Sequence, residues 1–141
     1  MKNLNAGIAA ILVLPSLVCG DASAADINIE INGIAEAKGE ILIALFNQTE
    51  GWLRKGVAAT KVAAQAGGVK VSFPNLPVGE YAVSVVHDVN SNGKLDSNPI
   101  GMPIEPYAFS NDAAGNFGPP SFDQAKFKLG AQHKTVAITL N

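Results

Sequence analysis

Short segments in which apolar and polar residues alternate one by one constrain the fold of this chain most. In segment 26–32, for example, Ile27, Ile29 and Ile31 are separated by polar residues. Because successive side chains of a β-strand point to opposite faces, a period of two predicts strands with one buried face. The alternating segments are 26–32, 69–73, 125–129 and 136–140. Segments 40–46 and 81–86 are apolar or rich in β-formers throughout, as central strands are, and 59–64 is a weaker candidate.

The strand segments are separated by turn sequences rich in Gly, Pro and Asn, such as those at 38–39, 67–68 and 74–79. No helical period of 3.6 residues extends over any long stretch. Seven short strands at this spacing predict an all-β fold, an antiparallel Ig-like Greek-key sandwich in one domain over residues 25–141. One helical turn is expected near residues 50–55, where Trp52 and Leu53 would close the end of the core.

The first 24 residues have the pattern of a signal peptide. Lys2 supplies a positive start, residues 6–18 are almost wholly apolar, and Ala22-Ser23-Ala24 has the small-x-small form of a cleavage site. The apolar run is too short for a membrane-spanning helix. We therefore expect cleavage near Ala24, a periplasmic or secreted protein, and no transmembrane span in the mature chain.

Cys19 allows a second interpretation, a lipid-anchored protein. The residue before a lipoprotein cysteine is normally small, whereas here it is Val18, so this interpretation is the less favoured one. If the cut follows Ala24, the mature chain contains no cysteine. Disulfides and metal sites with thiolate ligands, blue copper among them, are then excluded.

The charge is small overall but unevenly distributed. The formal net charge of −2 gives no electrostatic basis for binding nucleic acid. Between residues 88 and 123 there are five acidic residues and one basic residue, Lys94. This acidic segment is typical of a cation-binding region, although a solvated loop would have the same composition.

Segment 88–96 reads DVNSNGKLD and places oxygen ligands at positions 1, 3, 5 and 9, with glycine at position 6. This is the first three-quarters of a calcium-binding loop, in which position 7 offers a backbone carbonyl. The expected ligands are the side chains of Asp88, Asn90, Asn92 and Asp96 and the carbonyl of Lys94. An EF-hand ends in a bidentate Glu at position 12, but here that position is Pro99, so a residue such as Asn98, Glu105 or Asp112 would complete the shell. The alternative is a turn in which Asn and Asp side chains cap their own backbone without an ion.

Residues 88–122 form an unusually long segment without a predicted strand. Its apolar content is too high for a disordered chain, so we expect an ordered, packed loop. Within and beside it, a candidate ligand groove would contain His87, Tyr107, Phe109, Asn111 and Phe117. The alternative is that these aromatic residues form a small core that packs the loop onto the sandwich.

Several motifs together resemble a known bacterial family. They are HDVNSNGKLD at 87–96, GMP at 101–103, YAFSN at 107–111 and GPPSF at 118–122, with GEYA at 79–82 and AKF at 125–127. The chain is similar to the secreted proteins catalogued as domain of unknown function 2141. The resemblance implies an export signal and a compact transthyretin-like or prealbumin-like β-sandwich. It implies no activity.

These observations favour a non-enzymatic, exported envelope protein, a small binding or accessory domain with a calcium-binding loop. Its partner would be an unknown small molecule, a glycan or an envelope protein. A periplasmic hydrolase that uses His87 and the loop carboxylates is the alternative, although adjacent strand residues such as His87 and Asp88 point to opposite faces. No Gly-x-Ser-x-Gly elbow is present. A third hypothesis is a purely structural component of the cell envelope.

Overall fold

A computed structural model describes residues 23–141 of the chain. The strands are β1 (Ala24–Ile34), β2 (Glu40–Phe46), β3 (Ala58–Ala63), β4 (Gly67–Pro77), β5 (Gly79–Asp88), β6 (Tyr107–Phe109), β7 (Phe127–Leu129) and β8 (Lys134–Thr139), with a helical turn α1 (Phe122–Ala125) and two 3-10 turns at Thr49–Gly51 and Ser110–Asp112. The predicted all-β sandwich is confirmed. Residues 1–22, which include Cys19 and nearly all of the predicted signal peptide, lie outside the described residues.

The strands form two sheets. One has the order β4-β1-β8, and the other has the order β3-β2-β5-β6, with β7 also pairing with β5. The pairing of β1 with β8 is parallel, whereas every other strand pairing in residues 23–141 is antiparallel. This departs from a wholly antiparallel sandwich. β1 and β8 are the first and last strands and are not joined by a hairpin, so their connection leaves a parallel pairing open to them.

The main core lies between the two sheets and is built from the alternating positions that the sequence predicts. Its fully buried members include Ile27, Ile29, Ile31, Ile41, Ile43, Val83, Val85, Leu129 and Ile138. Complete burial of each such side chain contributes roughly 1.5–3 kcal/mol. The sandwich therefore derives its stability chiefly from these inner faces.

A second apolar cluster covers part of the outer face of the β3-β2-β5-β6 sheet. Its members are Phe46, Ala82, Phe109, Phe122 and Ala125, with Trp52 packed against them. The Trp52 ring lies 5.0, 5.8 and 5.9 Å from the ring centroids of Phe46, Phe109 and Phe122, respectively. Its Nε1–H donates to the carbonyl of Pro120 at 2.8 Å. Trp52 thus covers the outside of a sheet and not the end of the main core, and Leu53 is 37% exposed.

Two elements, one within the long segment and one just after it, differ from the sequence prediction. The segment contains a strand, β6, which pairs with β5 through Ser84, Val85 and Val86. The predicted strand from residue 125 begins only at Phe127, because Ser121 and Gln124 form a capping box that starts α1. The long segment is ordered, as predicted, but the prediction that it is packed holds only in part, because Ile100, Met102, Ile104 and Phe117 are exposed.

Residues 23–141 include no helix with the length and apolar character needed to cross a membrane.

Candidate functional site

Asp88 ends strand β5 and organises the turn that follows it. Its side chain is fully buried. One carboxylate oxygen accepts the backbone N–H of Asn92 at 3.0 Å, and the other accepts that of Gly93 at 2.6 Å. Gly93 has φ +84°, a left-handed conformation in which glycine carries no steric penalty. We call residues 88–96 the acidic turn.

The side chains of Asn90 and Asn92 also accept backbone N–H groups, each from the residue two positions later in the turn. The Oδ1 of Asn90 accepts the N–H of Asn92 at 3.2 Å, and the Oδ1 of Asn92 accepts the N–H of Lys94 at 3.1 Å. Both amide nitrogens donate to the carboxylate of Asp96, at 2.6 Å from Asn90 and 2.8 Å from Asn92. The side chains at positions 1, 3, 5 and 9 of the motif therefore belong to one connected network.

The charge of Asp96 is stabilised by this network. The hydrogen bonds from Asn92 and then from Asn90 lower the pKa of Asp96 below its usual value, and the nearby Lys94 charge acts in the same direction. Since hydrogen bonds to a carboxylate favour its ionised form, the turn holds a negative charge at neutral pH.

Glu105 joins the two ends of the acidic turn. Its side chain is 9% exposed, and its two oxygens accept the N–H of Val89 and the N–H of Asp96, each at 3.0 Å. The sequence suggested Glu105 as a further ligand for a cation. In the structure, both of its oxygens bind backbone donors on opposite sides of the turn, so it acts as a clamp.

Gly39 allows the β1–β2 connection to pack directly against the start of the acidic turn. Its φ is +74°, and a Cβ at this position would overlap the carbonyl oxygen of Asp88 and the backbone of Val89. The root of the turn is thus fixed by close backbone contact as well as by hydrogen bonds.

The ligand set of the acidic turn is limited in charge. It contains two carboxylates, Asp88 and Asp96, and within residues 23–141 no group of three or more His, Cys, Asp or Glu side chains gathers to hold a metal ion. Any cation here would depend on amide and backbone oxygens, which suit a hard ion such as calcium better than a transition metal.

His87 lies on the opposite side of the sheet from Asp88. It is 2% exposed, pairs with Ile41 on the inner face, and its Nε2 lies 2.7 Å from the carbonyl oxygen of Lys38. A carbonyl can only accept, so this nitrogen carries the proton. His87 is therefore a buried structural donor and is not accessible to a substrate in the acidic turn.

The five residues predicted to line one ligand groove are divided between different environments. His87 faces the core, and Phe109 is packed in the second cluster. The Asn111 amide donates to the carbonyl of Lys126 at 2.6 Å. Tyr107 lines a small cavity of about 250 Å³ together with Phe109, and Phe117 is fully exposed.

A family model described as "Uncharacterized protein conserved in bacteria (DUF2141)" matches residues 29–137. The chain belongs to this family. The match includes the acidic turn, Glu105 and the second apolar cluster, so all of these features lie within the family domain. No curated protein and no solved structure gave a significant match to the chain.

Sequence reasoning missed two features of this region. One is the clamp by Glu105, whose hydrogen bonds connect residues far apart in sequence. The other is an open apolar groove on the outer face of the second sheet, next to the acidic turn. Its signal in the sequence was strand β2, where Leu42 and Ala44 make the second face apolar as well. In the structure these two residues line the open groove.

Proposed function

We propose that this protein is an exported, non-enzymatic β-sandwich of the cell envelope whose acidic turn binds calcium, and that it serves as a small binding or accessory domain. The observation that supports the proposal is that the oxygen-bearing side chains at all four motif positions, those of Asp88, Asn90, Asn92 and Asp96, are gathered in one hydrogen-bonded network. A ligand pattern at positions 1, 3 and 5 with glycine at 6 is what a calcium loop requires.

The hydrogen bonds that the turn's side chains accept from backbone N–H groups are compatible with a bound cation. A carbonyl oxygen has two lone pairs, and an ionised carboxylate has about four acceptor positions. The oxygens of Asn90, Asn92 and Asp88 can therefore accept one N–H each and still coordinate an ion. Calcium would displace the amide N–H donors from Asp96 and replace them in neutralising its charge.

The role proposed for calcium is structural. The turn has two carboxylates and otherwise neutral ligands, so we expect a Kd of about 10⁻⁴–10⁻³ M, a range suited to an extracellular module. Burial of His87 and its bond to Lys38 support the non-enzymatic role, because the nearest candidate base is not exposed to solvent.

Calcium titration tests the proposal directly. With a Kd in that range, about 10 mM calcium raises the free energy of unfolding by roughly 1.4–2.7 kcal/mol. The measurements are isothermal calorimetry and the thermal midpoint with and without the ion. Magnesium at the same concentration should stabilise less, because it demands a smaller octahedral shell and gives up its water reluctantly.

Matched variants locate the effect. Asp96→Asn keeps the shape of the side chain but removes one carboxylate, and it should abolish most of the calcium response. Asp123→Asn removes a charge outside the turn, where the carboxylate pairs with Lys126, and should leave the response unchanged. Absence of both heat and a thermal shift at 10 mM calcium in the wild-type protein would refute the cation site.

A further inference from the structure

Part of the outer face of the β3-β2-β5-β6 sheet is left open. Leu42 on β2 lies directly between Lys61 on β3 and Val86 on β5. In the next row of the same face, Ala44 lies between Ala59 and Ser84. Most of these side chains are apolar or small, so they form a smooth floor across three strands.

The floor is bounded on two sides. The acidic turn rises along one side, where Gly93, Lys94 and Leu95 line the same cavity. On the other side, Ala44 packs against the cluster that contains Trp52. The resulting groove has a volume of about 510 Å³, within the range of roughly 300–1,000 Å³ typical of small-molecule sites.

The charge of the groove has one sign. Its lining includes two lysines, Lys61 and Lys94, and no acidic residue. Lys61 also pairs with Glu40 at 3.0 Å, just outside the lining, and is 65% exposed. Within residues 23–141, Lys94 forms no ion pair, so its ammonium group is free to meet a ligand.

An apolar floor with ammonium groups at its rim matches one ligand chemistry. We propose that the groove binds an anionic amphiphile, a carboxylate-headed acyl chain, with the chain on Leu42, Val86 and Leu95 and the carboxylate beside Lys94. Lysine stems lie along apolar surface while their heads stay in water, so Lys61 and Lys94 contribute to both parts of the site. A neutral chain would lack the head-group contact, and a purely hydrophilic anion would leave the apolar floor exposed to water.

This proposal names a ligand class for the binding role proposed above and rests on it in one respect, because residues 93–95 belong to both the calcium turn and the groove wall. The floor itself consists of strand residues and does not depend on an ion. The two proposals can therefore fail separately.

Decanoate is a suitable probe, with decanol as its uncharged counterpart. In a titration of the ¹⁵N-labelled protein followed by NMR, decanoate should give saturable shifts confined to amides around Leu42, Val86 and Leu95. Decanol should bind more weakly. Lys94→Gln should weaken decanoate binding by about two- to fivefold, as expected for a solvent-exposed charge contact. Lys128→Gln, a charge-matched change on β7, should leave the affinity unchanged.

Ser84→Phe fills the groove and should abolish the shifts, provided that its thermal midpoint shows a folded protein. Should that variant not fold, Lys61→Gln combined with Lys94→Gln replaces it, with a larger loss of affinity than either change alone. Absence of saturable shifts in the wild-type protein overturns the proposal, as does equal binding of decanol and decanoate. Shifts of the same amides on simple dilution, without any additive, would show that a second copy of the chain covers the groove and would also overturn it.

Repeating the titration with calcium and with a chelator separates the two proposals. Decanoate binding in chelator together with no calcium heat refutes the calcium site and keeps the groove. Calcium heat without decanoate shifts refutes the groove and keeps the calcium site.

Discussion

The long segment between β5 and α1 has two halves that are held in place by different forces. In residues 88–105, carboxylates and amides bind backbone N–H groups, and the apolar side chains of Ile100, Met102 and Ile104 are exposed. In residues 106–122, aromatic rings pack under Trp52, and β6 joins the sheet. The same connection is therefore polar in its first half and apolar in its second.

Because different interactions hold the two halves, different perturbations should destabilise them. Apolar packing responds to lost volume and hardly to pH or salt. A network of charged hydrogen-bond acceptors responds to charge, pH and cations, because the desolvated donors need an ionised partner. The second half should behave as part of the core, and the first half as an adjustable region attached to it.

Phe122→Ala should have the largest effect of the changes considered. Phe122 is 4% exposed and packs against Trp52 at 5.9 Å. Loss of a buried aromatic ring and the cavity it leaves cost about 3–5 kcal/mol. The measurement is the free energy of unfolding from urea denaturation monitored by Trp52 fluorescence and by circular dichroism.

Phe117→Ala is the matched control, because the same ring in the same half of the segment is fully exposed. It should change stability by no more than about 0.5 kcal/mol. Similar losses for both variants would contradict the view that the second half is held by its buried cluster.

Glu105→Gln tests the first half of the segment and should lower the free energy of unfolding by about 1–3 kcal/mol. Both oxygens of Glu105 accept N–H groups, so an amide nitrogen in place of either one faces a donor and leaves it unsatisfied. The measurement is again urea unfolding, combined with hydrogen exchange of the Val89 and Asp96 amides, which should lose protection. Glu36→Gln, at an exposed position, should leave both readouts unchanged. A fully protected Val89 amide in the Glu105 variant would show that the clamp does not hold the turn.

The main strands could be predicted from the sequence because the pattern that encodes them is local. The alternation of Ile27, Ile29 and Ile31 predicts one buried face, and β1 buries that face. The three residues of β6 are too few for a periodic pattern, and they form a strand only because β5 offers a free edge. The capping box of Ser121 and Gln124 starts a helical turn and so delays the strand that the alternation from residue 125 predicts.

The sequence predicts that the candidate ligands lie in one turn, and the structure places them there, but the sequence does not predict the contacts that hold this turn. The spacing of Asp88, Asn90, Asn92 and Asp96 predicts a turn at 88–96, and one is present, since a turn is encoded by adjacent residues. The clamp by Glu105 and the contact of Gly39 with Asp88 join segments that are distant in sequence. Whether His87 lies on the same face of the sheet as the aromatic residues likewise depends on register. Register is set by pairing across the sheet.

Controls apart, Asp96→Asn should have the smallest effect on stability and the clearest dependence on pH. The pKa of Asp96 is lowered in the folded protein, so its ionised form stabilises the fold above the unfolded value of about 3.9. That contribution is lost as the pH falls through the lower, folded pKa. In calcium-free buffer, the wild-type protein should therefore have the higher urea midpoint at neutral pH, and the difference from the variant should shrink below about pH 4.

NMR titration of the Asp96 carboxyl group gives a direct check on the cause. Because the bond from Asn92 contributes most to the lowered pKa, Asn92→Ala should raise the pKa of Asp96 toward its usual value, and Asn90→Ala should raise it less. Asn98→Ala offers a matched control, since the Asn98 side chain caps the N–H groups of Ile100 and Met102 and does not contact Asp96. An unchanged Asp96 titration in the Asn92 variant would mean that the amide network does not stabilise the charge, and the polar half would then depend on Glu105 and Asp88 alone.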